Sequence, residues 1–355
     1  MPTTESFVPL TSYVRREVRQ VVPQASAVLD IHFQATAGRR DTCAVACSAG
    51  TLGIFKLTPE LSPSDPLSLV HTSRIAGVGE EELILSCVWH PTVPDLLAIT
   101  TSTGQVRLLR TWSTDKAELA SVGVVTHLAE AWTVAISPGF PPPGGRSGHG
   151  SPPGLFTVYS GGDDSAAWYV SCALDGEARD EELALQTPYS PSRIKGHTAG
   201  VTSILPLPLR LPDGAELVVT GSYDDCIRVY AVHPQAETFG VGKARILAEE
   251  NLGGGVWRLK LLGIVPEHTD KLDDTRDSWT VDLLVSCMHA GARLVKILGT
   301  ADGNCRVTIL ATFQEHKSMN YGCDYQPTVS FGERMCVSTS FYDKLLCLWP
   351  QGGGK

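Results

Sequence analysis

A small or polar turn followed by alternating apolar residues recurs along this chain, and the recurrence limits what the chain can fold into. Ser102-Thr103-Gly104 runs into Gln105-Val106-Arg107-Leu108. The same shape returns at Gly161-Gly162-Asp163-Asp164, and at Gly221-Ser222-Tyr223-Asp224-Asp225 ahead of Cys226-Ile227-Arg228-Val229-Tyr230. It appears again at Cys287-Met288-His289-Ala290-Gly291, and at Ser340-Phe341-Tyr342-Asp343 ahead of Leu346-Cys347-Leu348-Trp349. Aligned on the Asp of the best copies, the series is Thr103, Asp164, Asp224, Ala290 and Asp343, at intervals of 61, 60, 66 and 53 residues. A weaker first copy puts Ala49 54 residues ahead of Thr103. Period-two alternation on both sides of a tight turn predicts short antiparallel strands. Sheets this small cannot bury their own faces, so several must pack together before any is stable.

A repeat of this kind fits the WD-type propeller unit, usually about 40–45 residues and four strands, with the surplus placed in loops. The predicted fold is all-β, a WD40-type β-propeller with six readable blades and room for a seventh. In the fourth copy, His197, Thr220, Asp224 and Tyr230 fill the positions of the hydrogen-bonded chain that satisfies buried polar groups in such blades, with Tyr in place of Trp. These four are structural. Residues 1–26 are too few for a further blade and are expected to supply a strand that closes the last one. Residues 27–350 form the propeller and 351–355 a tail. The segment Pro141-Pro142-Pro143-Gly144-Gly145-Arg146-Ser147-Gly148-His149-Gly150 reads as a loop, and a charged insert runs over 267–277.

The formal net charge of −9 argues against nucleic acid as a partner, because phosphate binding needs a basic surface. No apolar run approaches the roughly 18 residues of a membrane span, and no leader-like segment opens the chain, so a soluble, unsecreted protein is expected. The ten Cys are scattered through strand-like segments without a Cys-x-x-Cys pair, which reads as buried free thiols and not as disulfides or structural zinc. No His-Glu-x-x-His, P-loop or dinucleotide fingerprint is present, so neither metal nor cofactor is expected. The sequence Gly145-Arg146-Ser147-Gly148-His149 comes near a nucleophile elbow but ends in His.

In a blade, the residue just before the turn Asp edges one rim of the channel. Here that position holds Ser48, Ser102, Asp163, Tyr223, His289 and Tyr342. The starts of first strands add Glu130 and Trp132, Trp257 and Arg258, and Asn320 and Tyr321. Acids, aromatics and one His suit a ligand carrying positive charge; the alternative is a general peptide-docking surface. His289 is the sharpest residue of the set, being the usual side-chain type for general-base work near neutral pH.

These rim segments resemble one WD-repeat family, the diphthine methyl ester hydrolases, historically called diphthine methyltransferases. The likeness rests on Glu130-Ala131-Trp132, Tyr159-Ser160-Gly161-Gly162-Asp163-Asp164, Thr220-Gly221-Ser222-Tyr223-Asp224, Gly254-Gly255-Val256-Trp257-Arg258, Cys287-Met288-His289-Ala290-Gly291, Tyr321-Gly322-Cys323-Asp324 and Ser340-Phe341-Tyr342-Asp343. It covers about 28–350 and is strongest after Glu130. The resemblance implies hydrolysis of the methyl ester of methylated diphthine, a modified histidine of translation elongation factor 2, in the cytoplasm. That substrate carries a trimethylammonium group. Tyr223, Trp257, Tyr321 and Tyr342 are then expected to cage the cation, with charge from Glu130 or Asp163 beside Trp132. His289 would be the general base and Arg258 the oxyanion partner, with Ser102 and Ser222 as alternative nucleophiles. The rival reading is a non-catalytic propeller that docks a protein; a metal-dependent hydrolase is a third.

Overall fold

The computed structural model describes residues 22, 24, 26–58, 65–111, 118–137, 154–174, 185–267, 278–326 and 334–351. The expected closing strand, the 141–150 loop, the insert beyond Glu267 and the tail after Gln351 lie outside these residues. The described residues form six antiparallel sheets, with one 3-10 turn at Gln235–Glu237 and no α-helix among them.

The first sheet is built from Val28–Phe33, Thr42–Cys47, Thr51–Leu57 and Leu67–Ile75, with Glu118–Leu119 added parallel to its last strand. The second takes Ile84–Trp89, Leu96–Thr101, Gln105–Arg110 and Ser121–Thr126. The third takes Ala131–Ile136, Leu155–Gly162 and Ala167–Leu174, the last paired with both Leu185–Gln186 and Ser192–Ile194. Val201–Arg210, Glu216–Ser222, Cys226–His233 and Lys243–Asn251 make the fourth. Arg258–Glu267, Ser278–Ser286, Ala292–Thr300 and Cys305–Phe313 make the fifth; Asn320–Tyr325, Met335–Ser340 and Leu346–Pro350 make the sixth. Apart from Glu118–Leu119, which crosses to pair with Leu67–Ile75, and the pairing of Ala167–Leu174 with two short strands, each sheet is built from strands that follow one another along the chain, as the repeat requires.

The turn series aligns residue for residue. One position after each aligned residue the backbone is left-handed: Gly50, Gly104, Ser165, Asp225, Gly291 and Lys344 have φ of 65°, 85°, 58°, 65°, 79° and 55°. The three turns that lost the Asp, at Ala49, Thr103 and Ala290, use Gly there, the residue that takes this conformation without steric cost. In the third and fourth copies Asp164 Oδ1 accepts the Ala166 N–H (3.1 Å) and Asp224 Oδ1 accepts the Cys226 N–H (3.2 Å). Such Asx bonds hold the turn so that a residue with a side chain is tolerated. The degenerate and the intact copies are two solutions to one backbone demand.

Two compact units can be distinguished. One contains the first three sheets and part of the fourth, through Val219 and over Tyr230–Arg245; the other contains Thr220–Val229 and the described residues from Ile246 onward. In the first unit, Leu96, Val106, Leu108, Val134, Val158 and Val170 pack one core layer. His127 bonds Asp164 and Ser160, each at 3.0 Å, forming the buried chain expected of this repeat. In the second unit, His316 bonds Ser340 and Ser338 (both 2.8 Å), and Trp349 Nε1 donates to the same Ser338 hydroxyl (3.1 Å). In the fourth copy, Asp224 pairs with Arg228 at 2.9 Å, while His197 lies 5.6 Å from the Tyr230 ring, whose hydroxyl donates to the Lys195 carbonyl. All ten cysteines are free, and burial pushes Cys172, Cys287 and Cys323 up to about 12, which keeps those thiols protonated and inert. No helix among the described residues is long and apolar enough to cross a membrane.

Candidate aromatic site

Within the second unit, five rings follow one another along one edge. Tyr223 and Trp257 have centroids 5.8 Å apart, Trp257 and Tyr321 5.0 Å, Tyr321 and Phe341 6.1 Å, and Phe341 and Tyr342 5.1 Å. Tyr223, Trp257, Tyr321 and Tyr342 are the four rings singled out in the sequence. Phe341, which was not, packs against both Tyr321 and Tyr342.

Backbone geometry fixes each ring. Tyr223 and Tyr342 stand on the turns just before Asp224 and Asp343, two positions ahead of the left-handed Asp225 and Lys344. Tyr321 falls inside a bulge, because the register between Asn320–Tyr325 and Met335–Ser340 slips between Asn320 and Gly322. A bulge re-aims the residue it inserts. Trp257 precedes the strand Arg258–Glu267; its N–H donates to the Ser286 carbonyl (2.8 Å), and the Val256 N–H to the Ser222 carbonyl (2.9 Å). The chain is thus stitched on both sides of the indole. Burial, and after it the neighbouring Tyr342, push the Tyr321 phenol up, so that ring stays neutral.

The adjoining glycines have a steric reason. A Cβ on Gly255 would come within 2.7 Å of the Met288 sulfur and 3.4 Å of Tyr223, and one on Gly254 would collide with the Cys287 carbonyl and, at 2.8 Å, with Ala290 Cβ. Met288 Sδ can swing aside, but a carbonyl cannot. Gly254→Ala is therefore expected to lower stability by about 1–3 kcal/mol, the usual effect of overpacking, while Gly255→Ala displaces Met288 with a smaller loss. Equilibrium unfolding in urea distinguishes the two; equal stability of both variants would refute the close approach.

His289 is exposed on the turn after Met288, and among the described residues no side chain is hydrogen-bonded to its ring. Met288 is itself left-handed, at φ 42°, and its carbonyl accepts the Asn320 N–H (2.9 Å), tying this turn to the strand that carries Tyr321. Arg258 is half-buried and opens its strand opposite Ser286. Ser222 is fully buried, and its hydroxyl accepts the Asp224 N–H (3.2 Å), so nucleophilic attack from it would require the turn to open.

The other sequence-selected residues belong to the first unit. Ser102 is half-buried, with its hydroxyl accepting the Leu83 N–H at 3.0 Å. Asp163 is exposed, and its N–H donates to the Glu130 carbonyl (2.8 Å), which keeps the two acids near each other. Trp132 occupies a bulge between Ala131 and Thr133, the counterpart of Tyr321. Among the described residues no group of three His, Cys, Asp or Glu side chains is arranged to hold a metal ion.

Six blade sheets, aligned turns and buried His–Ser chains define a WD40-type β-propeller protein, here with an aromatic edge. A chain from the crystal structure of a mitotic checkpoint complex superposes with a TM-score of 0.53 at 12% identity, over 94% of this chain and 77% of that one, a likeness of fold alone. No family model matches. The chain is 32% identical over 195 residues to the diphthine methyltransferase of Schizosaccharomyces pombe, and 30% identical over 202 residues to the diphthine methyltransferase homolog of Dictyostelium discoideum. Each alignment covers 54% of this chain and 46% of the relative, so the chain spans about half the length of the curated relatives it matches. Over that half the similarity to the diphthine methyltransferases accords with the resemblance carried by the rim segments.

Proposed function

We propose that this chain acts in diphthamide biosynthesis by removing the methyl ester from methylated diphthine on translation elongation factor 2, in the cytoplasm. The run of rings from Tyr223 to Tyr342 carries the reading, because a trimethylammonium group is held best by π faces. His289 takes a proton from water as the water oxygen bonds the ester carbon, and the Arg258 guanidinium faces the oxyanion. The C–O bond to methoxide then breaks, the proton on His289 passes to the leaving oxygen to give methanol, and the carboxylic acid that remains releases its own proton to water and becomes a carboxylate. Ten free cysteines accord with a reducing compartment.

One observation favours the rival reading of a non-catalytic docking propeller. The Ser102 and Ser222 hydroxyls are both engaged by backbone N–H groups, and among the described residues no side chain is hydrogen-bonded to His289. Methanol release from methyl-esterified elongation factor 2 by the purified chain separates the two. Release that survives a chelator is the expected result; binding of the factor without release would leave the docking role.

A further inference from the structure

Three consecutive ring pairs on this edge stand close to perpendicular. The interplanar angles are 67° for Trp257 and Tyr321, 78° for Tyr321 and Phe341, and 88° for Phe341 and Tyr342. Rings set at right angles 5–6 Å apart form the walls of a corner, whereas stacked rings would form a slab. Phe341 stands in the middle of it, 65% exposed, next to a Tyr342 that is 72% exposed. Two large rings left in solvent on a tight turn do nothing for the core.

The turn that holds them is rigidly built. The Phe341 N–H donates to the Met319 carbonyl (3.1 Å), and the Tyr342 N–H to the Ser318 hydroxyl (3.0 Å). That hydroxyl donates in turn to Asp343 at 2.8 Å, and Asp343 also accepts the Lys317 N–H (2.8 Å). The backbone that carries the exposed ring is held in place, so a ligand need not order the turn.

The walls determine which cation fits. A primary ammonium entering between ring carbons leaves water behind and keeps N–H donors in need of oxygen acceptors. A quaternary ammonium has no N–H, spreads its charge over methyl groups and satisfies every contact with π faces. We propose that Phe341 is the specificity-determining wall of this corner, which selects a quaternary ammonium over a primary one. The assignment rests on the reading of a trimethylammonium-bearing substrate above, but its test does not depend on ester chemistry.

The full chain is titrated with tetramethylammonium chloride and, at matched ionic strength, with ammonium chloride, and tryptophan emission is followed. A saturable change is expected with tetramethylammonium, absent from Trp257→Phe and at least about tenfold weaker with ammonium. Phe341→Leu keeps the size and apolarity of the side chain but removes the π face, and should weaken tetramethylammonium binding about two- to fivefold, with Phe341→Tyr restoring it. Thermal unfolding of the Phe341 variants should match the parent chain, because the ring is exposed. No saturable response, equal response to the two cations, or undiminished binding by Phe341→Leu would each overturn the assignment. Methanol release measured on the same proteins keeps the two readings apart. Phe341-dependent binding without release overturns the esterase and leaves the corner; release with no effect of Phe341→Leu on cation binding overturns the corner alone.

Discussion

Replacing His289 with alanine is expected to lower methanol release by about 10²–10⁴-fold in a protein that still folds, the range lost when a general base is removed. The turn should survive the change because its own backbone holds it. The Cys287 N–H donates to the Gly291 carbonyl (2.7 Å), the Ala290 N–H to the Cys287 carbonyl (2.8 Å) and the Gly291 N–H to the Met288 carbonyl (3.2 Å). The imidazole contributes to none of these and lies in solvent, so stability should move by no more than about 0.5 kcal/mol. Among the described residues no side chain is hydrogen-bonded to the ring, so on this reading substrate and bound water orient it. His289→Gln, which can still hydrogen-bond water but cannot take its proton, should be as slow as the alanine variant. Turnover near the parent level in either folded variant would remove His289 from the mechanism and shift the balance toward the docking reading.

The rim was legible because turn spacing is a backbone property. Once Asp164, Asp224 and Asp343 fix the register, Ala49, Thr103 and Ala290 follow, and the left-handed residue after each confirms the alignment. Side-chain proximity was legible only where a rule maps position to direction. Tyr223 and Tyr342 occupy equivalent turn positions, and Trp257 and Tyr321 lie at equivalent strand starts, so their convergence could be expected. Phe341 escaped because no other copy carries a ring at its position, which holds Cys47, Thr101, Gly162, Ser222 and Met288, and nothing in the pattern marks a ring there as useful. The bulges at Trp132 and Tyr321 depend on pairing with a distant strand and leave no local mark. The burial of Ser222 also left no mark in the sequence: the strand Glu216–Ser222 runs fully buried to its last residue, and the hydroxyl accepts the Asp224 N–H. His127 and His316 lack the Gly-His signature that marks His197, so their buried bonds to serine emerged only from the sheets themselves.

Acid should destabilise the protein well above the carboxylate range, and His90 should account for much of the loss. This ring is 3% exposed, lies edge-on to Phe156 at 4.9 Å, and accepts the Thr92 and Val93 N–H groups on Nδ1 at 3.1 and 2.9 Å. An Nδ1 that accepts two backbone donors has no room for a proton, and burial pushes the group from 6.5 down to about 4. Because the folded state holds its proton more weakly than the unfolded chain, stability is full above the unfolded value and falls as pH drops from about 6.5 to about 4. The loss reaches about 3 kcal/mol, at 1.36 kcal/mol for each unit of displacement. His71, His233 and His316 are lowered chiefly by burial as well and add to the slope in the same direction. Asp343, held at about 2, works in the same sense only below the ordinary carboxylate range, so it does not contribute at pH 5. Urea unfolding of the parent chain at pH 7.5 and pH 4.5 measures the slope. In His90→Asn the side-chain oxygen can still accept a backbone donor but cannot titrate, so this variant should start less stable at neutral pH and lose much less on acidification. If it lost as much as the parent, the acid sensitivity would reside in the other histidines, and the neutral, buried state of His90 would not be what couples folding to pH.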